Sequence, residues 1–340
     1  SLVIGFDDAD KKAIERLYER GIKNGVRELS VITPEELYKL EPNAAKGAVC
    51  ALRADTGAIV CPYELTIAAI GNAMDNGAEL KLNFEVSSVT KTAEGYKIVS
   101  ADGGSVEGAY VVNAAGINAD AVAAMAAPSD IKLHPRRGEY VLLDKTSGGL
   151  VRHTLFKTPS EMGKGILVTP TVDGNLLLGP TAEDIGDKND TSTTADRLRT
   201  VLESCAKTAA GINLRDTITS FCGIRAVGNT GDFIINSHSP HFINAAGIES
   251  PGLSASPAIA EYITEMLKAD GLELTEKEDF NPVRKPAHYF RDAGFAEKNK
   301  IISADSAYGR IICRCEKVSE GEIREAIRTN PPAWDLDGVK

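Results

Sequence analysis

The sequence predicts an α/β fold in which a layer of parallel strands is interleaved with a mixed or antiparallel sheet backed by helices. Three observations carry this expectation. The phrase Val111-Val112-Asn113-Ala114-Ala115-Gly116 returns as Phe242-Ile243-Asn244-Ala245-Ala246-Gly247, each a buried strand running into a glycine turn. The second copy continues through Ile248-Glu249-Ser250-Pro251-Gly252-Leu253-Ser254 into a helical stretch, a corner that aims backbone N–H groups at an electron-rich ligand. Between the copies, residues 131–227 read mostly as strands, so one layer is cut by another.

Taken in order, Asp7-Asp8 caps a charged helix through about residue 24, with Ile14, Leu17 and Tyr18 on one face. Thr33-Pro34-Glu35-Glu36 starts a short helix with a cap, a first-turn proline and N-terminal acids. Pro62 opens another, closed by Gly77 after Asn76. Strands are expected at 79–83, 85–89, 96–100 and 108–113, a parallel strand and then a meander leading into the first glycine phrase. Extended segments at 131–143, 150–155, 165–171 and 175–180 precede a helix at 194–209 and a long strand at 215–227. Residues 231–244 return to the first layer, 253–268 form its last helix, and the polar, proline-containing 271–310 reads as a linker.

A length of 340 residues suits two structural domains with an ample core. A net charge of −10 argues against nucleic acid or an anionic membrane surface as a main partner. No apolar run approaches membrane-spanning length, and no secretory signal precedes the first helix. Six scattered cysteines (Cys50, Cys61, Cys205, Cys222, Cys313 and Cys315) read as reduced thiols, with Cys50 and Cys222 in apolar strand-like runs as core thiols. The expected location is cytoplasmic, with peripheral attachment to the inner membrane through a partner left open. There is no repeat at solenoid period.

The two glycine phrases and what surrounds them resemble the D-amino-acid-oxidase-like superfamily of FAD-dependent oxidoreductases. The likeness is closer to its branch of glycerol-3-phosphate dehydrogenases and L-2-hydroxyglutarate dehydrogenases. It extends over most of residues 1–270 through Cys61-Pro62-Tyr63-Glu64-Leu65-Thr66, Asn76-Gly77-Ala78-Glu79, Pro135-Arg136-Arg137-Gly138-Glu139-Tyr140 and Gly174-Asn175-Leu176-Leu177-Leu178-Gly179-Pro180. Gly223-Ile224-Arg225 and Gly231-Asp232-Phe233 complete the series in order. The resemblance implies a Rossmann-like FAD/NAD(P)-binding domain, interleaved with a mixed or antiparallel β-sheet substrate domain. Such enzymes open with a Gly-x-Gly-x-x-Gly turn that holds the FAD pyrophosphate, and no such turn occurs in these 340 residues. The chain therefore reads as truncated at its nucleotide-binding start.

Near the far end, Ile312-Cys313-Arg314-Cys315-Glu316 resembles the opening of a bacterioferritin-associated-ferredoxin-like [2Fe-2S] domain. There a Cys-x-Cys pair is answered further along by a Cys-x-x-Cys pair, so Cys313 and Cys315 supply half of a four-thiolate site. The cluster is expected only in the intact protein, FAD retention by this stretch alone is doubtful, and by itself the stretch is expected to be inactive. The implied organisation is 1–60, a helical and strand part of the substrate domain; 61–127, part of the FAD-binding domain; 128–230, the substrate domain; 231–270, the C-terminal part of the FAD-binding domain; 271–310, the linker; and 311–340, a truncated [2Fe-2S] module.

Hydride transfer to a flavin needs a substrate carbon held in place, an anion clamp and a group to take the hydroxyl proton. Arg225, on an apolar strand, is the leading clamp candidate, because a guanidinium grips a carboxylate or phosphate with two hydrogen bonds. In the resembling enzymes a substrate arginine occupies this Gly-x-Arg phrase. Strand alternation allows at most one of Arg136 and Arg137 to face the site, and Arg137, beside Gly138, is the one expected there. For each arginine the competing reading is a protein ion pair. His134 is the candidate for the alcohol proton. His153, His238, His241 and His288 show no ligand spacing, which makes a metal site improbable.

For FAD, the resemblance places Ala115 and Gly116 near the pyrophosphate or ribityl side and the backbone of Val86 at the adenine. It places Gly247, Ser250, Gly252, Leu253 and Ser254 at the pyrimidine edge of the isoalloxazine. The leading function is therefore an FAD-dependent dehydrogenase oxidising the C–OH of a small anion, glycerol 3-phosphate or a 2-hydroxy acid such as L-2-hydroxyglutarate. Electrons would leave through the iron–sulfur module to an acceptor protein or a quinone; a homo- or hetero-oligomer is left open. The substrate stays undecided. Cys-x-Cys resembles anaerobic glycerol-3-phosphate dehydrogenases, whereas Glu249-Ser250-Pro251 stands where those enzymes carry a Gly-Gly-Lys phrase. The alternatives are an amino-acid or amine oxidase, and a non-catalytic electron-transfer subunit whose Arg225 and Arg137 would both be engaged by protein carboxylates.

Overall fold

The protein is described as a computed structural model covering residues 1–159, 165–284 and 290–339. It divides into two compact units, Ser1–Cys61 with Glu85–Glu273, and Pro62–Phe84 with Leu274–Lys340. The first unit opens with β1 (Leu2–Gly5), α1 (Asp8–Lys23), β2 (Leu29–Ile32), α2 (Pro34–Leu40) and β3 (Cys50–Ala54). Helix α3 (Pro62–Asp75) belongs to the second unit. The first resumes with β4 (Val86–Lys91), β5 (Tyr96–Ser100), β6 (Ser105–Gly108), β7 (Val111–Asn113) and α4 (Ala119–Ala126). Then come β8 (Leu133–Leu143), β9 (Leu155–Lys157), β10 (Leu167–Pro170), β11 (Leu176–Gly179), β12 (Glu183–Asp184), α5 (Ala195–Ala206) and β13 (Thr217–Gly228). It closes with β14 (Ile234–Ser239), β15 (Phe242–Ala246) and α6 (Gly252–Ala269).

The large sheet runs β12-β8-β11-β10-β9-β1-β3-β2, with β13 on the free side of β8. All its pairs are antiparallel except β1 with β9. It is a mixed sheet backed by helices, as the sequence predicts. One face carries the main core, where Leu37 of α2 and Val201 and Cys205 of α5 meet Ile4, Leu143, Leu155 and Leu176. On the other face Ile14, Leu17 and Tyr18 of α1 pack over Cys50 and Leu52. Burying each such aliphatic chain contributes about 1.5–3 kcal/mol.

The helix starts follow their capping residues. Asp7 accepts a hydrogen bond from the Asp10 N–H at 2.8 Å, and Thr33 with Glu36 forms a capping box behind Pro34. Cys50 is buried as expected, whereas Cys222 is half-buried on β13.

The twin phrases end up side by side. β7 and β15 are parallel neighbours with Asn113 opposite Asn244, and β14 completes that sheet. The meander β4-β5-β6 packs its Val89 and Tyr96 against Phe242 of β15. The strand expected at 79–83 does not form. Among the described residues no strand lies beside it, so its backbone has no ladder to join.

In the second unit, Asn76 exchanges hydrogen bonds with the Asn281 backbone, and Asp75 pairs with Arg284 and Asn330. Segment 271–310, read as a linker, contains α7 (Phe295–Ala304). It is followed by the hairpin β16 (Ile311–Cys313) and β17 (Val318–Ser319), then α8 (Glu320–Arg328) and α9 (Leu336–Val339). Among the described residues no helix is long and apolar enough to cross a membrane.

Candidate active site on the β8–β13 ladder

The ladder between β8 and β13 sorts the polar candidates by face. Arg136 lies opposite Arg225, His134 opposite Val227, Gly138 opposite Gly223 and Tyr140 opposite Phe221. Paired residues share a face, so one side of the ladder carries His134, Arg136, Arg225, Tyr140 and Phe221. Tyr140 and Phe221 stack with ring centroids 5.0 Å apart. Between the arginine row and the aromatic row sit two glycines: a Cβ added at Gly223 would meet nothing within 4 Å, whereas one at Gly138 would stand 3.0 Å from the Pro180 Cβ, so the open ground lies over Gly223. That clearing, walled by a cation pair and an aromatic pair, is the surface on which a small anion could rest.

The arginines part company here. Arg225 is half-buried, and among the described residues no carboxylate pairs with it. Its guanidinium acts on Tyr140: burial pushes that phenol's pKa up, and Arg225 pulls against the rise. Arg136 is bound by Asp184 through two hydrogen bonds, of 2.6 and 3.1 Å. Asp184 also approaches His134 Nε2 at 3.4 Å.

Arg137 is not where the sequence reading puts it. It projects to the opposite, buried face and is 8% exposed. Its guanidinium bonds Glu183 and Asp190, both at 2.9 Å, with Glu139 at 3.6 Å. Glu183 in turn takes Arg197. The register of β12 decides this, since Glu183 lies opposite Arg137 and Asp184 opposite Arg136. The second basic residue on the Arg225 face is therefore Arg136, not Arg137. Because the two candidate arginines point to opposite sides, no cavity is flanked by both. A cavity of about 370 Å3 lies elsewhere, under α1, lined by Val3, Leu17, Leu29, Leu52 and Phe156.

The glycine turns adjoin the end of this ladder. Gly228, last residue of β13, is so close to Gly247 that a Cβ on Gly247 would stand 3.2 Å from the Gly228 Cα. Leu133, Ala226, Ile234 and Ala246 share one small core with Ala119, which follows the first turn. Glu249 of the second turn lies near enough to Arg136 to strengthen its hold on its proton, after the larger effect of Asp184. Lys188, between β12 and α5, reaches Asp120 of α4 at 2.8 Å.

Both turns fit a flavin nucleotide. Gly116 and Gly247 adopt the same left-handed conformation, at φ 58° and 60°. A Cβ at Gly116 would enter open space. Ala115, Ser250, Leu253 and Ser254 are exposed, whereas Gly252 is buried against Ile248. Helix α6 follows Pro251 with no side-chain cap; the Gly252 N–H is taken by the Glu249 carbonyl at 2.6 Å, and the Leu253 and Ser254 N–H groups are those left to face a ligand's negative edge. Pro257 cannot donate to the Leu253 carbonyl, and Ser256 Oγ takes that acceptor at 2.8 Å, so the helix continues. Val86 starts β4 opposite Ser100, in a cluster that includes Val111 of β7.

The remaining candidates are scattered. Cys313 and Cys315 stand on the β16–β17 hairpin with sulfurs 3.2 Å apart. The Glu316 backbone N–H, then Cys315, hold the Cys313 thiol below its usual range. Among the described residues no three His, Cys, Asp or Glu side chains converge on a metal-sized site. His153 Nδ1 meets buried Glu41 at 2.6 Å, His238 meets the carbonyls of Ala123 and Ala127, and His241 stacks on Tyr110. His288 lies outside the described residues. The sequence reading chose Arg137 over Arg136 and did not name Tyr140 or Asp184; alternation along β8 was the signal, but it lacked a register.

Comparison with known proteins identifies the family. Residues 1–266 match the family described as FAD dependent oxidoreductase, and the chain belongs to that family. A glycerol 3-phosphate dehydrogenase from Caloramator mitchellensis is 44% identical over 342 residues, covering 100% of this chain and 71% of the relative. The solved structure of dithionite-reduced L-alpha-glycerophosphate oxidase from Mycoplasma pneumoniae with FAD bound superposes with a TM-score of 0.77. It is 30% identical and covers 83% of this chain and 75% of that one. Mouse mitochondrial L-2-hydroxyglutarate dehydrogenase is 28% identical over 202 residues, 53% of this chain and 42% of its own length. Within the family the protein is an FAD-dependent oxidoreductase of the glycerol-3-phosphate dehydrogenase type, acting on a CH–OH group.

Proposed function

We propose that the protein oxidises the secondary alcohol of glycerol 3-phosphate, with the substrate anion seated on Arg225. The observation that supports this best is the difference between the arginines: among the described residues, Arg225 is the one that no carboxylate pairs with on this face, beside the turns that suit a flavin. The phosphate gains two charge-assisted hydrogen bonds there, and the Tyr140–Phe221 stack borders the clearing. When bound at the glycine turns, FAD supplies the hydride acceptor. The uncapped start of α6 favours negative charge on the ring edge it faces. His134, oriented by Asp184, takes the hydroxyl proton. Val86, Ala115, Gly116, Gly247, Ser250, Gly252, Leu253 and Ser254 form the FAD seat.

In the same reading, Cys313 and Cys315 provide two of the four thiolates of a [2Fe-2S] cluster in the intact protein. That cluster passes electrons to an acceptor protein or quinone, which places a cytoplasmic enzyme at the periphery of the inner membrane. A 2-hydroxy acid is the second reading. Asp184 already neutralises Arg136, so among the described residues Arg225 is the cation of this face that no carboxylate pairs with, which suits a monoanionic carboxylate.

The test is anaerobic titration of the flavin-loaded enzyme, followed by flavin absorbance. Bleaching by glycerol 3-phosphate and not by L-2-hydroxyglutarate supports the first reading, and the reverse supports the second. Bleaching by neither would remove both.

A further inference from the structure

Three asparagines cross the β14-β15-β7 sheet as one chain of side-chain amides. Asn236, Asn244 and Asn113 are register partners on neighbouring strands. Asn113 is 3% exposed and Asn244 fully buried. Asn113 Nδ2 donates to the Ala119 carbonyl at 2.8 Å, while its Oδ1 accepts from the Ala115 N–H at 3.3 Å. Those two backbone partners fix the amide's direction, because a carbonyl can only accept and an N–H can only donate. The second Nδ2 hydrogen then points at Asn244 Oδ1, at 2.9 Å. Asn244 Nδ2 is left to donate to Asn236 Oδ1, at 3.2 Å, on the exposed side of the sheet. Every donor and acceptor in this line has one role, so no amide can turn without breaking its neighbour's bond.

The line ends on the glycine turns. Ala115 and Ala119 flank Gly116, and Asn244 sits three residues before Gly247 on the strand that delivers it. We infer that Asn113 and Asn244 are positioning residues that lock the first and second glycine turns into one seat, so that each turn's contact with the flavin depends on the other. This inference rests on the reading of both turns as the flavin site. Ordinary strand stability does not require it. The backbone ladder between β7 and β15 already joins Phe242–Val111, Ile243–Val112 and Asn244–Asn113, and the polar groups an apolar pair would strand there, the Ala115 N–H and the Ala119 carbonyl, belong to the first turn rather than to the ladder.

The test uses Asn113→Leu, Asn244→Leu, their double variant and Asn236→Ala in the holoenzyme. FAD dissociation constants, the visible spectrum of the bound flavin and the melting temperature of the apoprotein are read. Each Leu variant is expected to weaken FAD binding by roughly tenfold or more, and to shift the bound-flavin spectrum toward that of free FAD. The double variant should be no worse than the weaker single one. Folded Leu variants with FAD affinity within about twofold of the parent and an unshifted spectrum would overturn the inference, as would additive losses. If the Leu variants fail to fold, Asn236→Ala decides, since it alters only the exposed end. A several-fold weaker FAD supports the chain of amides, and an unchanged affinity refutes it. A parent protein that takes up no FAD refutes the flavin reading itself, and this inference with it.

Discussion

Arg136 and Arg137 are adjacent in the chain and differ in almost everything that matters. Arg137 is enclosed by Glu183, Asp190 and Glu139, and its Nε has no hydrogen-bond partner. Removing it leaves three carboxylates facing one another around a buried gap. Arg137→Met should therefore lower stability by about 3 kcal/mol, seen as a fall in melting temperature, while leaving the substrate KM of the folded enzyme unchanged. A raised KM with unaltered stability would return Arg137 to the substrate site.

The same network makes an acid-stability prediction. Hydrogen bonds from Arg137 and Arg197 hold the Glu183 carboxyl below its ordinary value of 4.5. A carboxylate whose folded pKa is depressed stabilises the fold above the unfolded value, and that contribution is lost as pH falls through the folded one. Below about pH 4.5 the parent should lose stability steeply. Glu183→Gln, less stable at neutral pH, should show a shallower acid limb. Parallel limbs for the two proteins would contradict it.

Elements explain what the sequence could and could not disclose. The helix starts at Asp7 and Thr33 and the glycine turns at Gly116 and Gly247 were legible, because each depends on residues within a few positions of itself. The face of Arg137 was not. Alternation along β8 separates Arg136 from Arg137, but which one meets a carboxylate depends on β12, whose acids lie 46 and 48 residues further on. The absent strand at 79–83 has a similar cause: a strand-like composition forms a strand only where a partner lies beside it.

The turns themselves can be probed. At Gly247 both the left-handed φ and the Gly228 Cα, 3.2 Å from any added Cβ, oppose a side chain. Gly247→Ala should cost about 1–2 kcal/mol and reduce bound FAD per chain, measured by the ratio of flavin to protein absorbance. Full flavin occupancy at parental stability would show that the turn tolerates a Cβ.

At the scale of the whole molecule, two units carry the two halves of the proposed chemistry. The first holds the open face and the glycine turns, and the second holds the Cys313–Cys315 hairpin. Cys313→Ser in the holoenzyme should abolish cluster iron and its electron paramagnetic resonance signal. It should slow delivery to an external acceptor while sparing substrate-driven bleaching of the flavin. Unchanged iron content would remove the thiolate pair from the electron path. The net charge of −10 makes the uncommitted cation at Arg225 a more particular attraction for an anion, since the surrounding field repels anions at long range.

The central claim is that Arg225 holds the substrate anion on the β8–β13 face, and one comparison tests it most directly. Flavin bleaching by glycerol 3-phosphate is measured anaerobically, by stopped flow, in the parent holoenzyme and in Arg225→Met. The variant should keep its flavin and its melting temperature while the apparent second-order rate of bleaching falls by roughly a hundredfold, the loss of a bidentate charged contact. Parental bleaching by Arg225→Met at every substrate concentration would show that the anion is held elsewhere.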